Sequence, residues 1–124
     1  MNTFTIDARR VRSFDDFIEA TNVGLIRKVG GEWNGNLDAL NDYLSWAEEE
    51  EYELALLGSA TCAQNLGHAA QAAWLREHLG TYHPSNIADL RSRLTQAEAG
   101  RGETLYDVIK EIIAENRHVR IVLR

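Results

Sequence analysis

Three short apolar runs decide what this chain can fold into. Residues 3–6 (TFTI), 52–57 (YELALL) and 119–123 (VRIVL) are short, rich in β-branched, aromatic or aliphatic side chains, and bounded by polar or glycine residues, the pattern of strands. Between them the apolar residues recur at spacings of three and four, the period of a helix. A strand that reaches the next strand through helices pairs with it in parallel, because the helical crossover returns the chain to the same end of the sheet. The order predicts one α/β domain over residues 1–124: a small three-stranded parallel sheet packed with helices.

Cap chemistry places those helices. Ser13 with Asp16 three residues later reads as a capping box, followed by the apolar face of Phe14, Phe17 and Ile18. Asn22 and Gly24 suit the end of that helix, and residues 25–35 read as a loop. Asn36 caps a helix that runs to about Trp46. Residues 48–51 form a charged link and 58–61 a turn. Residues 63–79 read as one alanine-rich helix with Leu66, Ala70, Ala73 and Trp74 near its apolar face, stopped by Gly80. Tyr82, His83 and Pro84 form a loop. Ser85 or Asn86 caps a further helix, on which Ile87, Leu90, Leu94 and Ala97 share a face, and residues 99–102 break it. Thr104 and Asp107 make a capping box for the last helix. Its face is Leu105, Val108, Ile109, Ile112 and Ile113, and Asn116 suits a left-handed C-cap.

Charge narrows the function. With 13 Lys and Arg against 19 Asp and Glu, the net charge is −6, which argues against nucleic acid or an anionic membrane as the partner. The single cysteine excludes an internal disulfide and fits a reducing compartment. No apolar run is long enough for a membrane span and the N-terminus lacks the apolar core of a signal peptide, so the expectation is a cytoplasmic protein.

Residues 30–46 (GGEWNGNLDALNDYLSW) concentrate the charge. From Val29 to Gly67 there is no Lys, Arg or His, while Glu32, Asp38, Asp42, Glu48–Glu51 and Glu53 all fall there. On the predicted helix Leu37, Leu40 and Leu44 share one face, flanked by Tyr43. Asp38, Asn41, Asp42 and Ser45 share the other. Asp38 and Asp42 are four apart, so their carboxylates lie side by side. Helix stability does not favour this pair, since like charges at that spacing cost roughly 0.2–0.5 kcal/mol. Asp38 gains from the helix dipole in the first turn, and Asp42, a turn further on, gains less. Acidic residues also serve plain solubility, and for the run 48–51 that reading stands beside a role in attracting a basic partner.

Other chemistries find little support. His68, His78, His83 and His118 are scattered, so no metal is expected. No phosphate-binding glycine loop or dinucleotide fingerprint is present, so no cofactor is expected. Cys62 has no base at a fixed spacing and reads as a small buried hydrophobe. Asp38 and Asp42 with Glu111 could serve as the acid–base pair of a hydrolase, but the acidic stretch has no Arg or Lys to hold a charged substrate. The same residues suit a binding module better, and no enzyme is expected. Adjacent carboxylates on a rigid helix imitate the phosphates of a nucleic acid and can fill the basic cleft of a ribonuclease with charge-assisted hydrogen bonds.

The sequence resembles the barstar family of ribonuclease inhibitors at Asn36-Leu37-Asp38-Ala39-Leu40, with Asp42 two residues on and Trp46 at the helix end. The N-terminal strand, the Ser13 helix, the stretch Val108-Ile109-Lys110-Glu111 and the closing VRIVL strand agree with it. The resemblance implies a monomer that binds a barnase-like ribonuclease one-to-one and plugs its active site with the acidic helix and the loop before it. It assigns Trp33, Asn34, Gly35, Asn36, Leu37, Asp38, Asn41, Asp42, Trp46 and Glu111 to partner binding, with Asp42 as the phosphate mimic. Three departures stand out. Glu32 and Asn41 replace aromatics of the family, and Gly35 lies one residue late. The third is length: residues 58–102 exceed the family pattern, adding a helical segment within 63–99. A barstar-like module that binds another basic protein without inhibiting a ribonuclease is the alternative.

Overall fold

A computed structural model describes residues 1–81 and 83–124, so Tyr82, expected in the loop with His83 and Pro84, lies outside the described residues. Strands β1 (Thr3–Asp7), β2 (Tyr52–Leu57) and β3 (Val119–Leu123) form a parallel sheet in the order β1-β2-β3. The central strand sets Leu54 opposite Phe4 on one side and Ile121 on the other. Side chains alternate across a strand, so Phe4, Ile6, Tyr52, Leu54, Leu56 and Val119 enter one core. Thr3, Thr5 and Asp7 on the opposite face of β1 are exposed. Parallel sheets usually have both faces covered; here the first strand keeps one face open and polar.

Helix α1 (Phe14–Thr21) starts where expected, with Ser13 Oγ accepting the Asp16 amide at 3.2 Å. The Asp16 carboxylate caps Arg12 N at 3.0 Å instead of returning to Ser13. The helix does not end at Asn22–Gly24. One π turn (Asn22–Ile26) and one 3-10 turn (Arg27–Val29) carry the chain on to Gly30, through what reads in sequence as the start of a loop. The cause is a close approach: a Cβ on Gly24 would lie 2.1 Å from the Thr5 carbonyl oxygen, so the glycine lets this wide turn pack directly on β1. Leu25 and Ile26 are buried by it.

Helix α2 (Leu37–Trp46) precedes β2. The chain then turns at Gly58 alone, and α3 (Ser59–Asn65) and α4 (His68–His78) replace the single helix expected over 63–79. The break at Leu66 has a tertiary origin. Its carbonyl leaves the helix ladder to accept the Tyr106 amide at 2.8 Å, at the start of the last helix. The buried face of α4 is also rotated: Gln71, Ala72 and Leu75 are buried while Ala73 is exposed. A 3-10 turn (Pro84–Asn86) leads into α5 (Ile87–Glu98). His83 Nδ1 accepts the Ser85 amide at 3.2 Å, and neither Ser85 nor Asn86 supplies the expected cap. Helix α6 (Leu105–Glu115) has the full Thr104–Asp107 capping box. Asn116 is not left-handed (φ −88°, ψ 93°), and its side chain turns inward.

Candidate functional site

Helix α2 is held at its start, along its length and at its end. Asn36 is extended, and its side-chain oxygen accepts the Ala39 amide at 3.0 Å. Leu40 and Leu44 are buried, so the opposite side of the helix, with Asp38 and Asp42, faces solvent. Asp38 lies in the first turn, where the dipole favours it.

The loop before α2 is part of the core. Trp33 is only 2% exposed. Its rings meet Phe14 and Phe17 edge-on, at 5.9 and 6.2 Å between centroids. The indole N–H donates to the Asn36 carbonyl at 2.7 Å. Asn22, buried at the end of α1, clamps the Trp33 backbone from both sides: its Oδ1 accepts Trp33 N at 2.7 Å and its Nδ2 donates to Trp33 O at 2.9 Å. Gly35 has a φ of +96°, a left-handed conformation, and a Cβ there would lie 2.6 Å from Ile18 Cδ1. Tyr43 of α2 reaches back to donate to the Glu32 carbonyl at 3.0 Å.

Glu32 is ion-paired. Arg27 joins Glu32 and Glu19 at 2.8 Å each. Hydrogen bonding to the guanidinium holds both carboxyls below the usual glutamate range. Glu32 thereby fastens the loop to the 3-10 turn.

The C-terminal half of α2 is tied to β2 and α6. Tyr52 donates its phenol to the Leu44 carbonyl at 2.8 Å. Burial, with Glu48 adding its charge, pushes this phenol up to about 12. Asn116 Nδ2 donates to Asn41 Oδ1 at 2.8 Å and to the Ile112 carbonyl at 3.0 Å, while Ser45 Oγ donates to Asn116 Oδ1 at 2.8 Å. Trp46 is 71% exposed and meets Tyr43 edge-on at 6.1 Å.

The residues singled out from sequence thus fall into three groups. Asn34, Asn36, Asp38, Asp42, Trp46 and Glu111 are exposed; Leu37 and Asn41 are half-buried; Trp33 and Gly35 are buried. All but Glu111 belong to one continuous segment, and Glu111 lies on α6, which packs against α2. Among the described residues no hydrogen bond or ion pair occupies the Asp38 or Asp42 carboxylate, so both are free to accept donors from another molecule. Also among the described residues, no group of three or more His, Cys, Asp or Glu could hold a metal ion. Cys62 is buried, and burial pushes its thiol up to about 11, which leaves it inert as a nucleophile.

Sequence reasoning missed the residues that hold the site: Asn22, Asn116, Tyr52 and the Arg27 triad. One signal was present. Asn22 follows Phe14 and Ile18 at steps of four, which puts a polar side chain on an apolar face.

Fold and site together define a small α/β protein that presents a rigid helix with two unpaired aspartates. The chain belongs to the barstar family: the model of that family, barstar (barnase inhibitor), matches residues 1–82. This is an inhibitor family, not an enzyme family. The match runs from β1 through α4 and contains the loop and α2; Glu111 lies beyond it. No curated protein and no solved structure matches the chain. Among the described residues no helix is long and apolar enough to cross a membrane.

Proposed function

We propose that this protein inhibits a small barnase-like ribonuclease, binding it one-to-one and filling its basic active site with α2 and residues 33–36. The observation that carries the reading is the pair Asp38 and Asp42: exposed, unpartnered, and on a helix whose cap and C-terminal half are fixed by hydrogen bonds. A binding surface fixed beforehand loses less entropy on association. Asp42 acts as the phosphate mimic, with Asp38 beside it. Asn34, Asn36, Leu37 and Trp46 supply neighbouring contacts, and Glu111 adds a charge from α6. Trp33, Gly35 and Asn41 act from within, shaping the loop and the helix. The lone buried cysteine suits a cytoplasmic immunity protein that protects a cell from the nuclease.

Titration of RNA cleavage by a barnase-like ribonuclease tests this. Inhibition should saturate at one equivalent. Added salt should slow association, because charge steers the encounter. A second reading, a different basic partner, draws on Glu32 and Asn41, which remove two aromatics and are both engaged inside the protein. Undiminished cleavage at excess inhibitor would favour that reading.

A further inference from the structure

The seam between α2 and α6 fixes which way one amide of the α2 face points. Asn116 is only 7% exposed, and both ends of its side-chain amide are engaged there. Its Nδ2 donates to the Ile112 carbonyl at 3.0 Å and to Asn41 Oδ1 at 2.8 Å, and its Oδ1 accepts Ser45 Oγ at 2.8 Å. A carbonyl oxygen can only accept, so the Asn116 atom beside Ile112 is the nitrogen. The same nitrogen meets Asn41, which therefore turns its oxygen inward and its NH2 group outward. Among the described residues Asn41 Nδ2 has no hydrogen-bond partner, and it is not a buried atom. It is a donor open to solvent on a face that otherwise offers acceptors: Asp38 lies three residues before it and Asp42 directly follows it.

A helix face that enters a cleft takes this donor out of water, and a buried amide N–H left without an acceptor is penalised. We infer that the ribonuclease proposed above sets an acceptor oxygen, from a carboxylate or a main-chain carbonyl, against Asn41 Nδ2, and that Asn116 is the positioning residue that aims this donor. This rests on the inhibitor reading and deepens it: the α2 face matches a pattern of hydrogen bonds as well as a sign of charge. Specificity follows from the same geometry. A basic protein that offered a Lys or Arg at this point would leave the amide nitrogen facing a cation.

The test is the dissociation rate of the complex with a barnase-like ribonuclease. Asn41→Asp keeps the inward oxygen that Asn116 holds and replaces the outward NH2 by a second oxygen. It also adds a negative charge, so attraction of charge alone predicts slower dissociation from a basic partner. A lost donor predicts the opposite: dissociation about tenfold faster, because the partner's acceptor is left facing an oxygen. Asn41→Ala, which removes the donor without adding charge, should change the rate in the same direction. Asn116→Ala should raise the rate in the parent but not in the Asn41→Asp background, where no amide remains to be oriented. Equal effects in both backgrounds would mean a merely structural loosening and would overturn the role given to Asn116. Urea unfolding of the free variants checks that each is folded. If Asn41→Asp dissociates as slowly as the parent while Asp42→Ala dissociates faster, this inference is overturned and the proposed function stands. If Asp42→Ala also leaves dissociation unchanged, the inhibitor reading itself fails and takes this inference with it.

Discussion

Helices α2 and α5 are of similar length, yet they are held by different means. Leu40 and Leu44 anchor α2, and its flanking loop is clamped by Asn22, Trp33 and Tyr43. Its far end is tied by Tyr52 and Asn116. Helix α5 buries only Leu90 and Ala97, and its polar ties include two ion pairs, Arg76–Glu98 at 3.0 Å and Arg93–Glu103 at 2.6 Å. Exposed ion pairs contribute typically 0.2–1 kcal/mol, roughly. Buried hydrogen bonds to backbone are costlier to lose, because the abandoned partner stays out of water. Rigidity is concentrated around α2. The helix with free aspartates is fixed by bonds that define its geometry; α5 is held by packing along α4 and by ion pairs.

The largest effect that would sharpen this contrast is Trp33→Ala. It should lower unfolding free energy in urea by about 3–5 kcal/mol, the cost of emptying an aromatic site. Leu90→Ala on α5 should cost less, about 2–3 kcal/mol, near the low end for a buried leucine. The reverse order would break the comparison. Comparable to Trp33→Ala is Asn22→Ala, which strands both the Trp33 amide and carbonyl, at roughly 1–3 kcal/mol for each group left unpaired. Tyr52→Phe removes one hydrogen bond to α2 and should cost about 1 kcal/mol. A Tyr52→Phe protein as stable as the parent would remove that tie from the account. Smallest is Arg76→Ala, whose pair with Glu98 is exposed, expected within about 1 kcal/mol of the parent.

The Arg27 triad gives a pH test. Its glutamates sit below their ordinary pKa in the folded protein, so the folded state binds fewer protons than the unfolded one as acid is added. Their contribution is complete above the unfolded glutamate range, near 4.5, and fades as pH falls through the lowered folded values. The stability gap between the parent and Arg27→Met should therefore shrink on acidification. A gap that is constant down to low pH would mean that Arg27 acts through packing of its stem alone.

What sequence made legible was local. Ser13, Asn36 and Thr104 accept the amides that their cap positions predict, because cap chemistry needs only neighbours three residues away. The three strands and the parallel sheet followed from element order. What stayed hidden depended on distant residues. Leu66 breaks a helix because Tyr106, forty positions on, takes its carbonyl. Asn116 reads as a cap and instead joins α6 to Asn41 and Ser45. In the site, Asp38 and Asp42 were readable from spacing. The burial of Trp33 was not, because a loop tryptophan before an acidic helix looks the same whether it faces a partner or the core.

On the function proposed, the exposed aspartates of α2, and not acidity in general, recognise the nuclease. The most direct measurement is the dissociation constant of the complex with a barnase-like ribonuclease for Asp42→Ala beside Glu49→Ala, two substitutions that remove the same charge. The account predicts that Asp42→Ala weakens the complex by at least about 2 kcal/mol, the scale of a dominant interface contact. Glu49→Ala should stay within about 0.5 kcal/mol of the parent, as expected for a charge outside the contact. Equal losses for the two would contradict it, leaving a diffuse electrostatic attraction in place of a helix that enters the active site.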